Sequence, residues 1–416
     1  MKIAISKYTA SNWYFIGVLL VLAITTYLVM PDMDNTAEAG TGISMLAIMG
    51  LAAVQVPLLA YIIYHRYRIQ SSMPPVIPLY ILLYYVYFIW MTTITLLNNT
   101  GKNLFGLIAT AMTILVFPFL LSCSYFRARS SKLDIWFYLA ILFIMLCIVV
   151  QYMNIYSLAN LLSDDSSHIA VSYFPLFVLP LLLLPSSRII RLASIAITAI
   201  VIISSVKRGG IIAFGMSMMA YIFVQQYVSK SSMGKKIVVI IAVLVAMAGV
   251  GIYLSQQEDN VIERIANLKE DGGSDRDMLW KDTFHNILNR DLGFRMVGMG
   301  YRSAQEESTY KLPAHNDVLE IWYDFGGIGL TLYGIAFFSL CLYTLRMLKR
   351  KSRYAPHMML TMSTYFFISM ISIVILYFWL AYVMLAIGII TGLEDRELEE
   401  SKQHNTVLTQ KTEKHV

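Results

Sequence analysis

Charge is scarce in this chain of 416 residues. Asp, Glu, Lys and Arg make up 14%, against about 25% in an ordinary soluble protein, while 57% is hydrophobic and the mean hydropathy is +0.63. A soluble globular enzyme is excluded by that composition. Cysteine is also nearly missing: Cys123, Cys147 and Cys341 all lie in apolar stretches without metal-ligand or redox spacing, so neither a disulfide framework nor a metal centre is expected. The excess of 32 basic over 26 acidic residues is spread between apolar runs, which argues against a nucleic-acid partner. No internal repeat is visible. The first apolar run is too long, and too far from Ala37-Glu38-Ala39, for a cleaved signal peptide, so it reads as a retained helix.

What the chain has in quantity is apolar runs near the length of about 20 residues that a bilayer demands of a helix. They fall at 11–30, 43–64, 76–97, 104–126, 135–155, 169–185, 189–206, 209–228, 236–254, 326–347, 358–375 and 378–394. The fold expected is therefore all-α and polytopic, with about twelve transmembrane helices, or eleven if the last pair is one. Its divisions are residues 1–254 with nine helices, an outer loop over 255–325, three helices over 326–394, and a tail over 395–416. That tail, with Glu394-Asp395-Arg396-Glu397 and Glu399-Glu400, is polar enough to read as disordered.

Lys and Arg in short loops set the orientation, because positive flanks stay in the cytoplasm. Lys2 and Lys7, Arg66 and Arg68, Arg127 and Arg129, Arg188 and Arg191, Lys230 to Lys236, and Arg346 to Arg353 mark the cytoplasmic side. Asp32, Asp34, Asp164, Asp165 and the 255–325 loop then face outward. Lys207 and Arg208, between the seventh and eighth runs, oppose this pattern. They are either cations snorkelling to headgroups or an anion site at the interface.

The outer loop has helical patterning and concentrates polar side chains. Ser274 opens a helix with Asp277 at the capping-box position, which puts Arg276 in the first turn, where free N–H groups and the dipole already favour an anion. The commoner fate of such an arginine is pairing with Asp275, Asp277 or Asp282. Gly298-Met299-Gly300-Tyr301 reads as a tight turn. His315, followed by Asn316, Asp317, Glu320 and Asp324, precedes Gly326-Gly327-Ile328-Gly329 at the mouth of the tenth run. An imidazole just outside the bilayer is suited to general-base work near neutral pH, though a lone His is more often structural.

In this order, Lys207-Arg208-Gly209, Ser274-Asp275-Arg276 with Trp280, Gly298-Met299-Gly300-Tyr301, and His315-Asn316-Asp317 with Leu319-Glu320 and Gly326-Gly327-Ile328-Gly329 resemble the O-antigen polymerase and O-antigen ligase superfamily of bacterial envelope glycosyltransferases. The motif resemblance covers residues 200–345, and the whole chain resembles the superfamily in its topology. It implies a GT-C-like architecture in the bacterial inner membrane with the active site facing the periplasm. The activity implied is metal-independent, cofactor-free transfer of a glycan from undecaprenyl pyrophosphate to an acceptor hydroxyl, with inversion. Carried over by residue, Arg208 and Arg276, with Lys207, hold the pyrophosphate, and His315 takes the acceptor proton. Asn316, Asp317, Glu320, Trp280 and Gly300 support them. The partners implied are the lipid-linked oligosaccharide, membrane lipid, a chain-length regulator and a flippase. The polymerase is favoured and the ligase, which moves the chain onto lipid A core or protein, is the alternative. A transporter of lipid-linked sugar is weaker, because transporters place charge near the bilayer midplane and these runs carry almost none.

Overall fold

The computed structural model describes residues 7–30, 42–69, 78–98, 108, 111–127, 135–162, 173–185, 187–205, 208–229, 232, 234, 237, 276–374 and 378–413. Among these, every regular element is helical. In chain order they are α1 (Lys7–Val29), α2 (Gly42–Ile69), α3 (Leu79–Leu97), a π-helical turn (Met112–Val116) leading into α4 (Phe117–Arg127), α5 (Ile135–Leu162), α6 (Phe174–Leu182), α7 (Arg188–Ser204), α8 (Arg208–Val228), α9 (Arg276–Asn289), α10 (Leu292–Val297), α11 (Ser303–Glu307), α12 (Asp317–Lys349), α13 (Ala355–Ile371) and α14 (Leu380–Glu413). Five stretches among the described residues are long and apolar enough to cross a membrane: Asn12–Val29, Leu79–Leu97, Ile135–Ile155, Gly209–Val228 and Asp317–Lys349. An all-helical chain with several such spans is a polytopic membrane protein.

The bundle is arranged around its most apolar elements. A helix that is hydrophobic all round has no face for water and sits inside, and α6 is buried along its whole length, as is α14 from Leu380 to Leu393. α14 packs most extensively on α4. There Gly388 and Gly392, one turn apart, meet the Phe119 and Cys123 carbonyls so closely that an added Cβ would lie 2.8 Å and 2.7 Å from them. Small residues at this spacing let two membrane helices approach backbone to backbone. Around this centre α1 packs on α2 and α5, α3 on α12, and α8 on α13.

Three sequence expectations differ from what is seen. The sixth run, taken as 169–185, contains a helix of nine residues, Phe174–Leu182, which at 1.5 Å per residue is too short to cross a bilayer. The tail, expected to be disordered, continues α14 to Glu413. Its first turns are tied down by ion pairs: Arg127 Nε donates to Glu399 at 3.1 Å, Arg350 lies 3.3 Å from Glu394, and Arg353 lies 3.1 Å from Glu397. The tenth run, placed at 326–347, begins nine residues earlier as part of a longer helix, but that helix is broken at Gly326, where φ is 69°. The ninth run at 236–254 apart from Ile237, the loop up to Asp275, and Asp164, Asp165 and Lys207 lie outside the described residues.

Candidate active site

The site is built on the N-terminal end of α12. Asn316 caps it: Oδ1 accepts from Val318 N at 2.9 Å and Leu319 N at 3.2 Å, satisfying donors that a helix start leaves free. The same side chain donates through Nδ2 to the Met370 carbonyl at 3.1 Å, at the end of α13. Asp317, fully buried, accepts from Val374 N at 2.9 Å. The end of α13 and the start of α12 are therefore locked together by two adjacent side chains.

The next two acids act in the same manner. A buried carboxylate is tolerated when its oxygens are hydrogen-bonded, and Glu320 accepts from Ala314 N at 2.6 Å, folding the chain before the helix back onto its first turn. Asp324 accepts from Arg302 N and Ala304 N, both at 2.8 Å, and so fixes α11. These three acids recur along α12 as braces for other segments, a role that their spacing did not disclose. Between Ala314, held by Glu320, and Asn316, the capping residue, stands His315. It is half-buried with φ of 51°, a left-handed conformation that costs a non-glycine residue about 1 kcal/mol.

The break at Gly326 interrupts the hydrogen-bond ladder of α12, and the freed carbonyls find partners elsewhere. Met299 N donates to Tyr323 O at 3.3 Å, Gly300 N to Asp324 O at 2.7 Å, and Trp90 Nε1 to Phe325 O at 2.9 Å. The turn expected at 298–301 is present, with φ of 90° at Gly298 and 99° at Gly300. Gly298 and Gly326 touch through their backbones: a Cβ on Gly298 would lie 2.5 Å from Gly326 N, and one on Gly326 would lie 2.3 Å from Met296 O. From α3, Asn98 Nδ2 donates to Gly298 O at 3.1 Å, and Thr95 Oγ1 accepts from Tyr301 N at 3.1 Å. Trp90, Thr95 and Asn98 were not singled out in the sequence, because nothing in an ordinary apolar helix marks which residues will reach a loop 200 positions away.

α9 lies along this assembly through Leu279, Thr283 and Ile287, with Phe284 edge-on to Trp322 at 6.0 Å between ring centroids. Its far end is pinned where Arg290 pairs with Glu307, whose carboxylate also accepts from Tyr323 Oη at 2.7 Å. Those two partners raise the Arg290 guanidinium pKa, Tyr323 first. Nearer the start of α9, Asp282 accepts from Thr309 N at 3.1 Å and Thr309 Oγ1 at 2.7 Å. As the chain advances from Glu307 to Thr309 its contacts thus step back from Arg290 to Asp282, toward the end of α9 that carries Arg276. His315 follows six residues after Thr309.

Arg276 is the first residue of α9 and half-buried. Its carboxylate neighbours are engaged otherwise: Asp277 accepts from Lys281 Nζ at 2.9 Å, which holds its carboxyl below the usual range, and Asp282 serves Thr309. Arg276 makes no ion pair with a described residue. One turn on, the Trp280 indole N–H is buried with no acceptor among the described residues. On the opposite flank, Arg208 begins α8, of which only the backbone is described at that residue. The adjoining Gly209 sits so tightly on α13 that a Cβ would fall 2.4 Å from Ile371 Cδ1, and Ile371 follows the Met370 that Asn316 holds. The start of α8 is therefore one residue contact from the His315-Asn316-Asp317 cap. Among the described residues no group of three or more His, Cys, Asp or Glu could hold a metal ion.

Residues 193–334 match the family model described as O-Antigen ligase, which supports the O-antigen polymerase and ligase superfamily. No curated protein matches the chain. The matched segment contains Arg208, Arg276, the 298–301 turn and the His315-Asn316-Asp317 cap.

Proposed function

We propose that the protein is a polymerase of lipid-linked polysaccharide repeat units, working at the periplasmic face of the inner membrane on a glycan carried by undecaprenyl pyrophosphate. The observation that carries this is the cap of α12: His315, in a left-handed conformation, is fixed between two braced neighbours inside the segment that matches the O-antigen ligase model. Strained backbone held by its surroundings gathers at functional sites. In this reading the acceptor hydroxyl attacks the anomeric carbon as its proton passes to the His315 imidazole. The bond from that carbon to the pyrophosphate oxygen breaks on the opposite face, inverting the configuration. The pyrophosphate leaves as an anion, stabilised by Arg276 with the N-terminal N–H groups of α9, by Arg208 at the start of α8, and by Lys207, its neighbour in sequence. No metal or cofactor enters the scheme. A chain-length regulator and a flippase are the protein partners such a polymerase works with.

The description of the matched model favours a second reading, transfer of the finished chain onto lipid A core or protein. Both readings share the donor and differ in the acceptor. Deleting the gene in its host and resolving the surface polysaccharide on a gel separates them. A polymerase deletion leaves a single repeat unit attached and abolishes the ladder, whereas a ligase deletion removes all attachment and accumulates lipid-linked polymer.

A further inference from the structure

The end of the bundle opposite His315 has a feature that glycan transfer does not use. α8 and α12 each pack on α13 but make few contacts with each other, and their last turns flank a cleft of about 510 Å³. Phe223 and Tyr227 of α8 and Leu342 and Leu345 of α12 form its walls, with Arg346 and Lys349 at its mouth. The walls are open to the surroundings of the bundle, Phe223 being 52% exposed, Tyr227 56% and Leu345 49%.

The charge around this mouth is one-sided. Arg346 and Lys349, three residues apart and so on one helix face, are exposed and make no ion pair with a described residue. Lys351 reaches over the Tyr227 ring at 5.9 Å from the other rim, on a backbone with φ of 54°. No carboxylate among the described residues lines the cleft. Four carboxylates at this end are engaged: Glu394 by Arg350, Glu397 by Arg353, and Asp395 and Glu399 by Arg127. Arg346 also borders a second cleft, on the side of Asp395 and Glu399. The helix C-terminus accounts for Arg346 and Lys349 in the last turn of α12, but not for an apolar slot lined by both of them.

We infer that this cleft binds an anionic glycerophospholipid, with an acyl chain between α8 and α12 and the phosphate held by Arg346, Lys349 and Lys351. An apolar slot under a cationic rim matches both halves of such a lipid, and basic pockets between membrane helices are where acidic headgroups lodge. On the orientation proposed above, the lipid belongs to the inner leaflet, across the bilayer from the glycan site.

Native mass spectrometry of the full chain, titrated separately with phosphatidylglycerol and phosphatidylcholine, tests this. Wild type should retain phosphatidylglycerol preferentially. Arg346→Ala with Lys349→Ala should weaken its retention roughly 10–30-fold and leave phosphatidylcholine unchanged. Should that variant fold poorly, Leu345→Trp, which fills the slot without touching a charge, should displace the lipid in the same way, while Lys281→Ala at the other end should not. Equal retention of the two lipids by wild type, or undiminished phosphatidylglycerol in both variants, would overturn the inference. So would efficient cross-linking of Leu345→Cys to Leu244→Cys in a background without native cysteines, which would make the chain's own segment the occupant.

Discussion

At the residue scale the proposal rests on four side chains, His315, Arg276, Arg208 and Lys207, and the first two can be tested cleanly. A sugar hydroxyl ionises far above neutral pH, so its attack gains from a base that removes the proton as the bond forms, and such assistance is worth roughly 10²–10⁴-fold. His315→Ala should lose that factor in polymer formation in a reconstituted assay while the protein still inserts and binds lipid-linked donor. The wild-type rate should fall on the acid side as the imidazole protonates, since the protonated ring accepts no proton. Normal polymer from His315→Ala at matched protein level would leave His315 a strained structural residue. Arg276 is expected to act on the leaving group, where losing a charge-stabilising donor costs roughly 10²–10³-fold. Arg276→Ala should show that loss in turnover, and Arg276→Lys should recover only part of it, because an ammonium does not reproduce the forked contacts of a guanidinium. Arg290 is the matched control: its partners Glu307 and Tyr323 are in place, so Arg290→Ala should change stability by about 1 kcal/mol or less and turnover little. Equal damage from Arg290→Ala and Arg276→Ala would show a loop that merely needs positive charge.

At the element scale the site depends on a broken helix whose loose ends are used. Gly326 frees the carbonyls of Tyr323, Asp324 and Phe325, and the 298–301 turn and α3 bind them. Gly298→Ala would drive a Cβ to within 2.5 Å of the Asp324–Gly326 backbone at a φ of 90°. The melting temperature in detergent should fall by the equivalent of roughly 1–3 kcal/mol, with transfer lost alongside; a wild-type melt would mean the contact is not made. Asp324→Asn should cost about as much, because an amide oxygen can serve only one of the two N–H groups and the amide nitrogen would face the other. Part of this element was legible beforehand: Gly298 and Gly300 mark a turn and Arg276 falls in a first turn, whereas Gly326, read as the start of a span, stands inside a helix that begins at Asp317. What was not legible is that the two glycines meet, since that contact joins segments 28 positions apart and leaves no periodic trace. The acids Asp317, Glu320 and Asp324 were visible as a cluster, but their partners are backbone N–H groups, which every residue but proline carries, so the sequence had no means of showing which ones. The helical tail was missed for a related reason, because the pairing of Glu399 with Arg127 spans 272 positions.

For the whole molecule, the positions of the cations argue for one orientation. Arg127, Arg350 and Arg353 are held by carboxylates of α14, and Lys351 lies over Tyr227 at the end of α8, so these four residues, which the loop-charge pattern assigned to the cytoplasm, gather at one end of the bundle. The other end holds the contacts of Asn98 with Gly298, Thr95 with Tyr301, and Gly209 with Ile371, together with the His315 cap. The positive-inside rule would place the end that carries Arg346, Lys349, Arg350, Lys351 and Arg353 in the cytoplasm. On the proposed function the candidate site would then face the periplasm, where a lipid-linked glycan and no nucleotide-activated sugar is at hand. Single cysteines at exposed positions read this directly, in a background without Cys123, Cys147 and Cys341. Lys281→Cys, on the solvent face of α9, should react with an impermeant maleimide in cells whose outer membrane alone is permeabilised, and Glu400→Cys, on the helical tail, should react only after the inner membrane is opened. The reverse pattern would invert the protein and place His315 in the cytoplasm, where glycan transfer from a flipped lipid carrier has no substrate, so this measurement bears on the function as directly as any substitution in the site.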